Sequence, residues 1–540
     1  MGSVKKSVAA FLGGAIMVTS AWAGASLAPA GRGAQATAKA PLAAAPAFEP
    51  GQSFDPADLP DGYVLAGAAK QSLEPQPAKY GGTWEKDHDK CATLSEAEFN
   101  NFTGDPISEG DHLVTAGSPW PENPNCIYMG GFGIGPMNPV SSWDQELGLW
   151  VRALALKDRQ GDDLVMVILD AEGYFWDYAH KCSDCGIKEI TQQLADDPSL
   201  GLKPENIIIG ATHAHSSLDL IGGWGFVPDW YMKQVGDTIR ATAKAAIASE
   251  RPAVLEYGEE MARPYNHERR DSYRAAEEQQ LGWVRAYAPH GQSHTGDTVF
   301  TMGAYAAHPT TMGTDGGKAH PDWPGRFEKD VENRFGGIGL FFNTGLGNMS
   351  SSGGLGGMSE KLSTLIPDVG HGSDVTSPDI KTTRTTWQQP VTNVPLTALG
   401  EPGFFDHKFT QTPATVDTGE DAEKHQCVSA SPISTEVASS AARIGDVAIS
   451  ASPGEVFSNL TNTIKENSGA GITFPLAQTN DALGYMPQSF EMSQVGQQGL
   501  GFVDQLTGYA GINYEDSYAI DKCFGDMAME TALQQLGSLK

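Results

Sequence analysis

Apolar positions along this chain fall into two periodicities. Short runs of β-branched and aliphatic residues, bounded by glycine and polar turns, predict buried strands at 148–156, 164–169, 207–209, 253–257, 281–287, 299–306, 338–343, 437–452 and 472–477. The three isoleucines at 207–209 read as the centre of a sheet. Helical spacing of apolar residues predicts helices at 187–195, 231–248, 323–335, 456–466 and 526–536. Strand, helix and strand in succession between 164 and 209 is the pattern of a parallel crossover. The implied class is α/β, with mixed, largely parallel sheets flanked by helices and long loops over the strand carboxyl ends, where open sheets place their ligands. The stretch 354–432 is rich in Thr, Pro, Asp and Gly and has little apolar periodicity, so it is expected to cover the site or edge the sheet.

Several of these strands run directly into reactive side chains. The isoleucine run leads to Thr-His-Ala-His-Ser at 212–216. In extended backbone His213 and His215 would point to one side, as a metal site or a proton-transfer pair. The strand at 164–169 ends in Asp170, which would share a rim with His213. The strand at 299–306 releases His308, and Pro309 behind it keeps the backbone extended. Thr-Gly-Leu-Gly-Asn-Met-Ser at 344–350 follows another strand; Gly345 and Gly347 free backbone N–H groups for a ligand oxygen, and Ser350 is the candidate hydroxyl. It is not the Gly-x-Ser-x-Gly elbow of serine hydrolases. Glu455 stands at a strand-to-helix junction and Tyr485 follows the last strand. His213, His308, Glu455 and Tyr485 together make a donor set suited to Zn²⁺. The glycine-rich run 129–136 is expected to pack closely at a cleft mouth.

Composition adds an address. Lys5 and Lys6 precede an apolar run at 8–18 and Ala-Trp-Ala at 21–23, the pattern of a secretory leader. The expected organisation is a leader at 1–23, an Ala/Pro-rich linker at 24–60 and one catalytic domain at 61–540, in a periplasmic or secreted protein. Six cysteines suit disulfides in that setting, and Cys182 with Cys185 is expected to form a local structural bridge. A net charge of −30 repels nucleic acid and anionic head groups, so neither is expected as a partner. No later segment is apolar enough for a membrane helix, and the oligomeric state is left open.

Taken together, the motifs resemble the neutral ceramidase family, zinc-dependent hydrolases that cleave the N-acyl amide of ceramide. Thr-His-Ala-His-Ser at 212–216 is similar to the family's Thr-His-Thr-His-Ser, and Ala-Ala-His-Pro-Thr-Thr-Met at 306–312 to its Ala-x-His-x-x-Ser-Met. Gly-Leu-Gly-Asn-Met-Ser at 345–350 resembles Asn-Leu-Gly-Asp-Val-Ser; Pro-Gly-Glu at 453–455 and the Asn480-to-Tyr485 spacing match as well. The resemblance spans roughly residues 127–490. It implies that His213, His308, Glu455 and Tyr485 hold zinc, that Ser350 is the catalytic serine, and that His215 contacts substrate or supports a ligand. It also implies a substrate-binding Asn–Arg pair, Asn266 with Arg269 or Arg270. Asn348 stands where the family has aspartate and Ser351 where it has proline, and the family's Gly-Ile-His-x-Arg turn is not visible before Arg152. Too few residues follow Tyr485 for the family's C-terminal β-sandwich. The expected activity is therefore zinc-dependent cleavage of a lipid or other small-molecule N-acyl amide. A metal-independent serine esterase using Ser350 and a non-catalytic periplasmic binding protein are the alternatives.

Overall fold

The apolar runs form the strands of two packed sheets. The structure, a computed structural model, describes residues 39–44, 46, 48, 54–87, 90–91, 124–132, 138–225, 227–270, 277–393, 396–397, 405–419, 426–500 and 514–540. The expected leader, most of the linker and part of the glycine-rich run lie outside the described residues. By its contacts the chain divides into Met1–Ala40 and Pro41–Lys540, and both sheets belong to the second.

The larger sheet has nine strands. In chain order its path is built from β1 (Tyr63–Ser72), β2 (Trp150–Lys157), β3 (Asp163–Leu169), β4 (Ile207–Ala211), β5 (Arg251–Met261), β6 (Gln280–Pro289), β7 (Gly296–Tyr305) and β8 (Ile338–Asn343). They lie in the order β8-β7-β6-β5-β1-β2-β3-β4, with the short Ser373–Asp374 strand added on β5. The second sheet follows β9 (Ile380–Pro390), β10 (Ser434–Ile444), β11 (Val447–Ala451) and β12 (Ile472–Leu476) in that order. Alternate residues of the two sheets meet in one core: Leu154, Met166, Ile208, Phe300, Met302 and Phe342 pack with Ile444, Ile449, Phe474 and Leu476.

Helices close the outer faces. α1 (Ile187–Ala195) and α2 (Asp229–Ala248) cover β2–β4 with Ile187, Ile190, Tyr231, Val235 and Ile239. α3 (Asp322–Phe335) and α4 (Leu355–Leu365) cover the β6–β8 side through Trp323, Phe327, Met358 and Leu362. α5 (Ser458–Asn467) and α6 (Phe524–Ser538) back the second sheet through Ile464, Ala532 and Leu536.

The α/β class and mixed sheets are as expected, but parallel pairing is sparse. Within the two sheets only β3 with β4, β7 with β8, and β11 with β12 run parallel among the described residues. The isoleucine strand is buried yet ends the hydrogen-bonded path instead of occupying its centre. Its free edge is covered: Arg384 Nη2 donates to Ile207 O, Asn480 N to Ile209 O, and Ala211 N to Gln478 O. Covering an edge in this way removes a template for unwanted pairing.

Candidate metal centre

Each parallel pair ends beside the same point, because parallel strands bring two carboxyl ends to one rim. Past β3 and β4 stand Glu172 and His213, with Thr212 N bonded to Leu169 O at 2.8 Å. Past β7 and β8 stand His308 and the 345–350 loop; His308 bridges Ser350, and its N–H donates to Met349 O at 2.9 Å. Past β11 and β12, Glu455 and Tyr485 lie opposite each other in a short parallel pair. Asn343 at the end of β8 donates to Thr212 O at 2.7 Å, tying two of these rims together.

The four side chains expected to hold a metal converge. Glu455 Oε2 lies 2.9 Å from His308 Nε2 and 3.4 Å from His213 Nε2. Tyr485 OH lies 3.4 Å from His308 Nε2. Ligand atoms about 2.0–2.1 Å from a tetrahedral Zn²⁺ stand roughly 3.3 Å from one another, so these spacings fit the ion. Both imidazoles are turned correctly as well: His213 Nδ1 meets Glu172 O at 2.8 Å and His308 Nδ1 meets Met349 O at 3.2 Å, which turns each Nε2 toward the shared point. His215 joins them, with its Nε2 3.1 Å from His213 Nε2. The three histidines offer nitrogens within 4.8 Å of one another, a group that could hold a metal ion.

The convergence of His213 and His215 does not come from extended backbone. His213 sits in the left-handed region at φ 59°, so the chain turns at the strand end and the two rings meet edge to face at 4.7 Å. Gln478 and Asn480 beside it are left-handed too, at φ 51° and 65°. Non-glycine residues held there store strain, and such strain collects at functional sites.

Burial and proximity separate the ionisation of these groups. Burial pulls His213 down, but the Glu455 carboxylate prevails and raises it to about 9. Burial, reinforced by Arg269, lowers His308 to about 4. Burial and the charges of His213 and His308 hold His215 well below the usual imidazole range. Glu455 is raised by burial, yet the His213 charge and the two imidazole contacts bring it well below the usual carboxylate range. Uptake of a cation needs a deprotonated carboxylate and neutral imidazoles, so Glu455 and His308 are already in the required state while His213 would release its proton on binding.

The other expected site residues divide. Arg269 reaches the centre: its Nη2 donates to Tyr485 OH at 3.0 Å and Gly347 O at 2.9 Å, and its Nε to Glu515 at 3.1 Å. Arg270 turns away, stacking on Phe457 and facing Glu515 and Asp516. Asn266 is buried, with its amide donating to Glu278 O and Ala306 O, both at 2.6 Å. Gly345 N donates to Glu278 Oε2 and Gly347 N to Val456 O, so both loop amides are already engaged. Ser350 is half-buried, and among the described residues no histidine nitrogen is bonded to its hydroxyl. Asp170 does not face His213: its Oδ2 accepts from Trp150 N at 2.8 Å, on the side of Arg152.

One carboxylate was not foreseen. Glu172, two residues past Asp170, is the carboxylate that reaches His213, with Oε1 3.5 Å from Nδ1; burial raises it to about 8. The glycines at 130 and 131, expected at a cleft mouth, pack onto named partners. A Cβ at 131 would fall 2.3 Å from His215 Cγ, and one at 130 would fall 2.8 Å from Glu172 Cβ. Phe132 then stands edge-on to His215 at 5.4 Å. The step of two between Asp170 and Glu172 was the signal for the carboxylate.

No known family model matches the sequence, and no curated protein matches it. Solved structures do match. A ceramidase complexed with C2 superposes with a TM-score of 0.59 at 14% identity, covering 89% of this chain and 75% of the other. The neutral ceramidase from Pseudomonas aeruginosa gives a TM-score of 0.56 at 15% identity, with the same 89% and 75%. The chain has the fold of the neutral ceramidases.

Proposed function

We propose that this chain is an exported zinc-dependent hydrolase of N-acyl amides, with a lipid or other small-molecule substrate. One observation carries the reading: three parallel strand pairs, far apart in sequence, bring His213, His308, Glu455 and Tyr485 to one point at spacings that suit tetrahedral zinc. The solved structures that share the fold are ceramidases, which supports an amide as the bond attacked. Export rests on the leader pattern, and agrees with three disulfides, Cys91–Cys126, Cys182–Cys185 and Cys427–Cys523.

His213, His308, Glu455 and Tyr485 would hold the ion, which when bound lowers the pKa of water to about 7 and polarises a carbonyl. His215, held neutral by burial and its neighbours, would take a proton from the attacking water at Nε2 and pass it to the leaving amine nitrogen as the C–N bond breaks. Arg269 puts a fixed positive charge beside Tyr485, where it favours the charge that develops on the carbonyl oxygen. This role falls to Arg269 because the Gly345 and Gly347 amides are committed elsewhere. Ser350, bridged to His308, orients the acyl group.

Metal analysis of protein purified without chelators tests the reading, together with a panel of N-acyl sphingosines, N-acyl amino acids and fatty amides. About one zinc per chain is expected. His213→Ala and His308→Ala should lose metal and turnover by more than the ~10–100-fold that outer partners of a metal site cost. Full hydrolysis by metal-free protein would replace the reading with a serine esterase. Zinc binding without turnover on any of the panel would leave a binding protein.

A further inference from the structure

Several buried acids near this site are well supplied with donors among the described residues, and Glu172 is not. Asp219 accepts the backbone N–H groups of Ile221, Gly222 and Trp224. Asp322 accepts those of Thr311, Met312 and Trp323, and the Thr311 hydroxyl. Glu278 takes Gly345 N, the Thr461 hydroxyl and Lys465 Nζ. Glu172 is 4% exposed, and its Oε2 has no hydrogen-bond partner. Its Oε1 lies 3.5 Å from Nδ1 of His213. Gly130 closes over the stem of the side chain.

A carboxylate buried without donors destabilises a fold, so packing gives no reason for an acid at this position. A glutamine would fill the same space. The carbonyl of residue 172 already receives His213 Nδ1, and the side-chain carboxyl sets a second oxygen at the same edge of the ring. Metal-bound imidazoles commonly carry a carboxylate or carbonyl behind the distal nitrogen, which sets the tautomer and strengthens the ligand. Asp219 cannot stand in, because its oxygens hold its own loop.

We propose that the Glu172 carboxylate is a positioning residue of the metal centre: it holds the His213 ring with Nδ1–H toward residue 172 and Nε2 toward the ion. This rests on the metal reading given above.

The test compares Glu172→Gln and Glu172→Asp with the parent, as full-length protein, by zinc competition against a chromophoric chelator. Glu172→Gln should bind zinc ~10–100-fold more weakly, while the thermal midpoint of the metal-free protein stays level or rises. Glu172→Asp, which keeps the carboxyl at shorter reach, should recover part of the affinity. If Glu172→Gln binds zinc as tightly as the parent, the proposal is overturned and the metal site stands. A fall in the metal-free midpoint that matches the loss of affinity would make the role structural and overturn it too. A parent that binds no zinc removes both.

Discussion

Asn348 shows how one departure from the ceramidase pattern is absorbed by its neighbours. Its Oδ1 accepts from Ser458 N at the start of α5, and its Nδ2 donates to the Ser458 hydroxyl and to Glu268 Oε1. An aspartate would keep the first bond, lose both donations and face Glu268, whose carboxylate lies 3.3 Å away. Amide and glutamate are thus a matched pair. Asn348→Asp should cost about 1–3 kcal/mol in urea unfolding at neutral pH, and Glu268→Gln in the same chain should restore most of it. An aspartate variant as stable as the parent would refute the pairing. At His213, by contrast, the left-handed backbone is a cost that the surrounding bonds hold in place.

At the level of elements, the site depends on where strands run parallel, and a buried charge network braces one of those junctions. Arg152 on β2 meets Glu328 at 2.7 Å and Glu332 at 2.6 Å on α3, and Lys70 on β1 meets Glu332 at 2.6 Å. Asp170, just past β3, is buried next to this network, and burial raises it to about 6 from 3.8 despite Arg152. A carboxyl raised in the folded state binds its proton more tightly there than in the unfolded chain. It is neutral in its effect below the unfolded value, and it lowers stability increasingly as pH climbs from about 4 to about 6. Asp170→Asn keeps an oxygen for Trp150 N. Its stability relative to the parent should therefore rise across that window in urea unfolding and stay level above it. A difference that is flat with pH would mean that Asp170 is charged throughout.

On the scale of the whole chain, the disulfides differ in what they constrain. Cys427–Cys523 joins residues 96 apart and fixes the start of α6 to the strand at Val428–Ser431. Cys182–Cys185 spans a separation of 3. On a chain-entropy basis the long loop is worth about 4–5 kcal/mol and the short one about 2. Replacing both cysteines of each bridge by serine should lower the unfolding midpoint in that order; equal losses would point to local strain relief instead. No helix among the described residues is long and apolar enough to cross a membrane. The net charge of −30 governs solubility and encounter, not the fold.

Much of the architecture was legible because buried strands and amphipathic helices write their period into the chain. The helix at 187–195 and the strand at 338–343 appear with the bounds expected. Two strands were not legible, for opposite reasons. β1 is rich in small residues because α2 crosses it closely: a Cβ on Gly67 would stand 2.0 Å from Ala246 O. β9 is polar and mostly half-buried or exposed, so its Thr-rich run shows no apolar alternation although it pairs with β10 along its whole length. The sequence by itself determined which residue types stand at the strand ends: His213, His308, Glu455 and Tyr485. Only the tertiary structure decided that they share one point, since their spacing depends on three parallel registers and a left-handed turn set by long-range hydrogen bonds. It likewise decided that Glu172, not Asp170, stands behind His213, because local pattern does not say which side chain a turn aims inward.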